Sequence, residues 1–313
     1  MTRCFSFTYL RDRCYRYTFN NSGLWSTTTD LGDGTVLHCW APKAHQESKP
    51  NLLLIHGFGA NAMWQWGDLV GHMTPHFNVY VPDLLFFGES YTSRPERADS
   101  FQAQCLMRLM EAHSVKGRLS LVGLSYGGFV AYSMAAQFKE VVERVVICCA
   151  AICMEEKDLV EGKFKVKDLE DAADILLPQT PEKLKELMSF TMVKPPKIVP
   201  NCFLNDFIHA MCTDFCQEKR ELIRAIPKDR KISKIPKITQ PTLIIWGDQD
   251  QVFPVEFAYR LKSHLGDNAQ LVVLKKAGHG FNVERPKEFY KHLKAFLIGS
   301  QTSHHNHSNS SGK

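Results

Sequence analysis

The chain has 313 residues, 44% hydrophobic and 23% charged, with 10 cysteines and a formal charge of +5. This is enough apolar chain for one large core or two smaller ones, and it excludes disorder as the default class. Lys and Arg are scattered instead of forming a stripe, so nucleic-acid binding has little support, and the one basic cluster, KDRKISKIPK at 228–237, reads as a solvated surface segment.

The N-terminal MTRCFSFTYLRDRCYRYTFN has an apolar stretch that is short, interrupted by Ser and Thr, and not followed by a small-residue cleavage site, so a signal peptide is not expected. Its Arg and aromatic residues leave a weak membrane-surface contact open beside ordinary packing. No run approaches the roughly 18 apolar residues of a membrane span. The cysteines lie mostly inside apolar runs, where a free thiol acts as a small hydrophobe. None is paired as C-x-x-C, and Cys212 with Cys216 matches one helix face, so no metal site is expected. A reducing compartment, the cytoplasm, fits best.

Runs rich in Val, Ile and Leu recur at 35–42, 51–57, 77–84, 119–125, 144–150, 241–247 and 270–278. Most are apolar on both faces, as strands of a covered parallel sheet are. Helical spacing occupies 61–73, 100–113, 127–139, 255–265 and 286–298. The alternation predicts an α/β fold: a mostly parallel twisted sheet with helices on both faces and right-handed crossovers.

The rhythm breaks between 152 and 236, which offers no convincing strand. Thr180 is the expected N-cap of a helix with Pro181 at its first position. Further on, Phe203, Leu204, Phe207, Ile208, Met211 and Phe215 make one stripe at helical period. VKPPKIVPN between them must be extended, since a proline keeps its predecessor out of the helix. The expected organisation is an N-terminal extension at 1–30, a core at 31–151 and 237–299, a helical cap at 152–236 between the sixth strand and the acid-bearing strand, and a disordered polar tail at 300–313.

The chemistry concentrates at strand ends. In LVGLSYGGFVAY, at 121–132, Gly123, Ser125 and Gly127 satisfy G-x-S-x-G after a strand and before a helix. That context presents the Ser125 hydroxyl on a tight, strained turn, with glycines letting strand and helix approach. A packed turn with a serine N-cap would share the pattern, so distant partners decide. They follow in the order Ser, Asp, His: LIIWGDQDQVFP offers Asp248 and Asp250, and VVLKKAGHGFN offers His279. His279 must take the serine proton and return it to the leaving group, and a carboxylate must hold the imidazole and stabilise its cation. We assign Asp250 that role, Asp248 to bracing its loop and Asp83 to a structural turn; His56 is the competing histidine. HGFGA at 56–60 supplies a glycine-rich turn, from which the Phe58 amide, with that of Tyr126, is expected to hold the oxyanion.

These segments resemble the α/β-hydrolase family over about 30–298, with HGFG, PDLLFFGES, GLSYGG, WGDQDQVFP and AGHGFNVERP in the family's order. Within it the chain looks most like plant members of the esterase, monoacylglycerol-lipase-like and carbon–carbon bond hydrolase kind. The family's acid pattern, G-x-x-D-x-x-x-P, fits Gly247, Asp250 and Pro254, and the resemblance implies a cap over the site. One departure is apolar: Leu84, Leu85, Phe86 and Phe87 stand where many relatives have polar residues. Ser125 argues against epoxide hydrolysis, which uses Asp at the nucleophile.

The function expected is hydrolysis of a small to medium apolar or aromatic carboxylic ester through an acyl-enzyme on Ser125, without cofactor or metal. The pocket is assigned to Trp64, Trp66, Phe86, Phe207 and Met211. Two alternatives stay open: a slowly turning ligand receptor on the same scaffold, and a carbon–carbon bond hydrolase using the same three residues.

Overall fold

The computed structural model describes residues 6–161 and 164–299, so the tail expected to be disordered lies outside the described residues. One nine-stranded sheet runs through the molecule: β1 (Leu24–Asp30), β2 (Thr35–Pro42), β3 (Asn51–Ile55), β4 (Asn78–Pro82), β5 (Tyr91–Thr92), β6 (Leu119–Leu124), β7 (Val142–Cys148), β8 (Thr242–Gly247) and β9 (Ala269–Leu274). The spatial order is β1-β2-β4-β3-β6-β7-β8-β9, with β5 pairing β2. From β4 to β9 every pairing is parallel, whereas β2 is antiparallel to β1, β4 and β5.

The parallel strands explain their own legibility. β3, β6 and β8 are buried at every position, and only continuous apolar runs survive between two helical layers. β1 is the opposite case, an edge strand with polar, largely exposed LWSTTTD, which no apolar run announces. It pairs with β2 over seven residues, from Leu24 with Pro42 to Asp30 with Val36, so the sheet begins inside the stretch expected to be an N-terminal extension. Before it, the helix Phe7–Asn21 packs through Thr8, Tyr15 and Phe19, with its N-cap Ser6 accepting from the Tyr9 amide. β1 and the two-residue β5 also shift the strand count: the helical insertion follows the seventh strand, not the sixth.

That insertion consists of the helices Glu156–Val160, Leu169–Leu176, Pro181–Thr191, Asn201–Met211 and Cys216–Ala225, then a 3-10 turn at Ile232–Lys234. Thr180 caps its helix as expected, its hydroxyl accepting from the Lys183 amide at 3.3 Å. The stripe at 203–215 is not one helix, however. The helix stops at Met211, and Phe215 turns left-handed with φ 53° to start the next, so Cys212 and Cys216 sit at facing helix ends. Ile175, Leu184, Leu187, Leu204, Ile208 and Cys212 form an apolar cluster separate from the main core. Each such side chain contributes about 1.5–3 kcal/mol on burial, which gives the insertion its own reason to stay folded.

Several contacts fasten the insertion to the rest of the molecule. Phe215 packs on Phe86 at 5.9 Å, the Arg97 guanidinium donates to Glu221 at 2.8 Å, and the Gly280 amide donates to the Thr191 carbonyl at 2.7 Å. The apolar turn Leu84–Phe87, unusual by sequence, is thus a platform on which the insertion rests. At the far side Asp206 accepts from the Thr8 amide at 2.7 Å and from the Ser6 hydroxyl at 3.0 Å, tying in the N-terminal helix. Among the described residues no helix is long and apolar enough to cross a membrane.

Candidate active site

Ser125 sits between β6 and the helix Tyr126–Gln137 with φ 55° and ψ −120°, a region that costs a non-glycine residue about 1–3 kcal/mol. Its backbone is pinned on both sides: its amide donates to Cys148 O and its carbonyl accepts from the Gly128 amide, each at 2.8 Å. The flanking glycines are obligatory. A Cβ at Gly123 would lie 2.2 Å from Gly127 O, and one at Gly127 would lie 2.3 Å from Ile55 O. Backbone therefore touches backbone where β3, β6 and the helix meet, and the hydroxyl is left pointing off the sheet's carboxyl end.

His279 reaches that hydroxyl from the loop after β9: its Nε2 lies 2.9 Å from Ser125 Oγ, and its Nδ1 lies 2.8 Å from Asp250 Oδ2. An ionised carboxylate only accepts, so Nδ1 carries the proton and Nε2 is left to accept from the serine. Asp250 is itself oriented, since its Oδ1 accepts from the amides of Val252 at 2.8 Å and Phe253 at 2.9 Å. Burial alone pushes the His279 imidazole toward its neutral form. The charge and hydrogen bond of Asp250, aided by Cys149, outweigh burial and hold its pKa above the ordinary histidine value.

The other carboxylates and the second histidine are occupied elsewhere. Asp248 accepts from the Ala277 amide at 3.3 Å and so braces the histidine loop. Asp83 accepts from the Ala62 amide and contacts His38 Nδ1, both at 2.8 Å. His56 donates from Nδ1 to Gly57 O at 2.8 Å and accepts at Nε2 from Leu84 N at 2.9 Å, which leaves it no nitrogen for a substrate.

The turn after β3 comes close to Ser125. A Cβ at Gly57 would stand 2.9 Å from Ser125 Cβ, so the following residue, Phe58, is beside the nucleophile. Tyr126 is the first residue of its helix, where the amide has no intrahelical acceptor. The Phe58 ring packs on Tyr126 and on Phe87, each at 5.1 Å.

The five side chains assigned to the pocket lie elsewhere. Trp66 is fully buried in the main core, and Phe86 is buried under Phe215. Trp64 donates its indole N–H to Asp12 and packs on Tyr15 at 5.8 Å and on Phe207 at 5.5 Å, so both aromatics hold the N-terminal helix against the insertion. Met211 packs within the insertion's own cluster. The apolar cavity, of about 80 Å³, is lined instead by Phe164, Leu176, Phe190, Ile223, Ile226 and Phe253, among others. It adjoins His279 through Phe253, whose ring is 5.8 Å from that of the histidine. The signal for Phe253 was present, two residues inside DQDQVFP, but nothing in helical period says which face of an inserted helix meets it.

Cys149, Asp250 and His279 place one candidate metal-ligand atom each within 4.8 Å of one another. Asp250 and His279 already satisfy each other, and burial pushes the Cys149 thiol up to about 11, against the thiolate a metal would need. The nine described cysteines are free thiols.

A family model described as alpha/beta hydrolase fold matches residues 50–286. Lipase 3 from Moraxella sp. (strain TA144) is 30% identical over 286 residues, covering 88% of this chain and 84% of its own. Monoacylglycerol lipase ABHD6 from Bos taurus is 27% identical over 272 residues, with 83% and 78% covered. The crystal structure of Lip1 from Acinetobacter baumannii AYE superposes with a TM-score of 0.79 at 26% identity, over 93% of this chain and 97% of that one. These relatives are animal and bacterial, so the expected likeness to plant members is not borne out by them.

Proposed function

The chain belongs to the alpha/beta-hydrolase family and is a hydrolase of lipase or esterase type, and from that premise we propose that it cleaves apolar carboxylic esters through an acyl-enzyme on Ser125. The observation that carries this reading is the continuous line from Ser125 Oγ through the His279 ring to Asp250, with contacts of 2.9 and 2.8 Å. Three groups far apart in sequence meet at hydrogen-bonding distance: a nucleophile, the base that takes its proton and the carboxylate that holds that base.

In the first step the Ser125 oxygen attacks the ester carbonyl carbon while its proton passes to His279 Nε2. Asp250 stabilises the imidazolium and keeps Nδ1 protonated. The amides of Phe58 and Tyr126 receive the carbonyl oxygen as it gains negative charge, each well-placed donor lowering the barrier by about 3–4 kcal/mol. Collapse expels the alcohol, which takes the proton back from Nε2. Water then attacks the acyl-enzyme with His279 again as base, releasing the acid and restoring the serine. An apolar acyl or aromatic group suits the cavity beside Phe253, whose lining is almost wholly hydrocarbon.

The test is direct. Ser125→Ala should lower kcat on aryl esters by several orders of magnitude and abolish labelling by a fluorophosphonate probe. Parent-like turnover by that variant would remove Ser125 from the mechanism.

A further inference from the structure

The inward face of the helix Cys216–Ala225 buries Lys219, Leu222 and Ile223, which puts a lysine in a row of apolar side chains. Lys219 is only 3% exposed. Its ammonium donates to the Met211 carbonyl at 3.3 Å and lies 5.0 Å over the Phe87 ring. Among the described residues no carboxylate forms an ion pair with it, so one of three N–H donors is satisfied, by a neutral acceptor. Burial pushes its pKa down, and Cys212, Cys216, Asp214 and Glu218 only partly oppose that. A buried ammonium without an anion is costly, and proteins usually supply one.

Its surroundings say where the anion would come from. Phe87, beneath the ammonium, packs on Phe58, which packs on Tyr126, the two residues whose amides are assigned to the oxyanion. One turn further along the helix, Ile223 lines the apolar cavity and contributes to a cluster against which Phe58 packs. Lys219 therefore sits behind the Phe87 and Phe58 rings, on the helix whose next turn lines the apolar cavity, in a medium of low polarity where a charge-assisted contact is strong.

We propose that Lys219 binds an anionic group, carboxylate or phosphate, carried by the ester substrate itself. The inference rests on Ser125 as nucleophile and adds a substrate class to it: esters bearing a negative charge away from the scissile carbonyl. The cation–π contact with Phe87 holds the ammonium in place.

Two substrate pairs test it, each comparing a charged ester with a neutral analogue. Mono-4-nitrophenyl adipate against 4-nitrophenyl hexanoate puts a carboxylate on the acyl side; a 1-acylglycerol 3-phosphate against the 1-monoacylglycerol puts a phosphate on the alcohol side. Lys219→Met fills the same space without charge and should lower the charged-to-neutral ratio of kcat/KM by about 10- to 100-fold in one pair, chiefly through KM. Lys219→Arg should keep most of the ratio, and the responding pair identifies the source of the anion. Both members of a pair report on the same folded sites, so a partly unfolded preparation cannot mimic the result. A ratio unchanged within about 2-fold by Lys219→Met in both pairs overturns the proposal and leaves Lys219 as a brace on the Met211 carbonyl. Failure of the Ser125 reading looks different: Ser125→Ala would go on hydrolysing the neutral esters.

Discussion

The loops that carry Ser125, Asp250 and His279 and the helical insertion beside them are held by different physics. In the loops, position is dictated by backbone: Ser125 is fixed at φ 55° between two hydrogen bonds of 2.8 Å, and Asp250 is clamped by two amides at 2.8 and 2.9 Å. The insertion is positioned by side-chain packing, through its own cluster around Leu204 and Ile208 and through aromatic contacts such as Phe215 on Phe86. Backbone constraints tolerate almost no variation, whereas apolar packing accepts many sequences of similar volume. Chemistry is therefore written in motifs and substrate choice in surfaces.

The largest effects should come from the loops. Asp250→Asn leaves the shape intact but removes the acceptor that keeps Nδ1 protonated, and kcat should fall about 10,000-fold. Rates within tenfold of the parent would mean that the line of contacts is not the machinery and would dissolve the contrast between the two regions. Steady-state turnover of an aryl ester is sufficient to decide it.

Stability separates the regions next. Gly127→Ala forces a Cβ to 2.3 Å from Ile55 O, backbone against backbone, and should destabilise the fold by about 3 kcal/mol or more while blocking fluorophosphonate labelling of whatever remains folded. Leu204→Ala leaves a cavity in the insertion at a cost of about 2–5 kcal/mol, yet the surviving folded protein should label normally. Thermal melts paired with labelling distinguish the two outcomes. Loss of labelling in folded Leu204→Ala would show that the insertion helps to build the nucleophile's turn.

The acid limb of the pH profile gives a smaller and more specific readout. Ser125 needs His279 neutral, so kcat/KM should fall as pH drops through the histidine's pKa. With that pKa raised by Asp250, the midpoint should lie above the ordinary 6.5. In Asp250→Asn the raising influence is gone while burial still lowers, so the residual activity should titrate at lower pH. A midpoint that stays put in the variant would mean that Asp250 does not tune the imidazole.

Most of the sheet and the contacts from Ser125 through His279 to Asp250 could be read from sequence, the sheet and the serine turn because each rests on a local necessity. Buried parallel strands must be continuously apolar, and the turn at Ser125 must have glycine at 123 and 127. For Asp250 over Asp248, support comes from the family resemblance, whose acid pattern fits Gly247, Asp250 and Pro254. The errors share a cause as well. β1 is polar because it is an edge, so it has no apolar signature, and the N-terminal helix buries Thr8, Tyr15 and Phe19, a thin stripe among arginines. Trp64 and Phe207, expected to line a pocket, pack on the N-terminal helix and on each other. An aromatic side chain packs equally well on a substrate or on protein, and only tertiary structure tells the two apart.

Glu284 is where the two regions meet, and it offers the finest test of their independence. Its carboxylate accepts from the Gly278 amide at 2.7 Å, next to His279, and from the Val193 amide at 2.8 Å, in the stretch that follows the helix Pro181–Thr191. Glu284→Gln retains the size but turns an N–H toward one of those donors, so one of the two bonds is lost. If the insertion only covers a prebuilt site, kcat should change by less than about 2-fold, and the cost should appear as a small loss of stability. If the insertion also sets the histidine loop, kcat should drop about 3- to 10-fold with the pH midpoint unmoved, because Glu284 does not touch the imidazole. The shared 2.7 Å contact between Gly280 and Thr191 favours the second outcome, since it anchors the other side of His279 to the same stretch. A drop in kcat that disappears when Leu204→Ala is already present would place both substitutions on one mechanical connection, as non-additivity between linked sites requires.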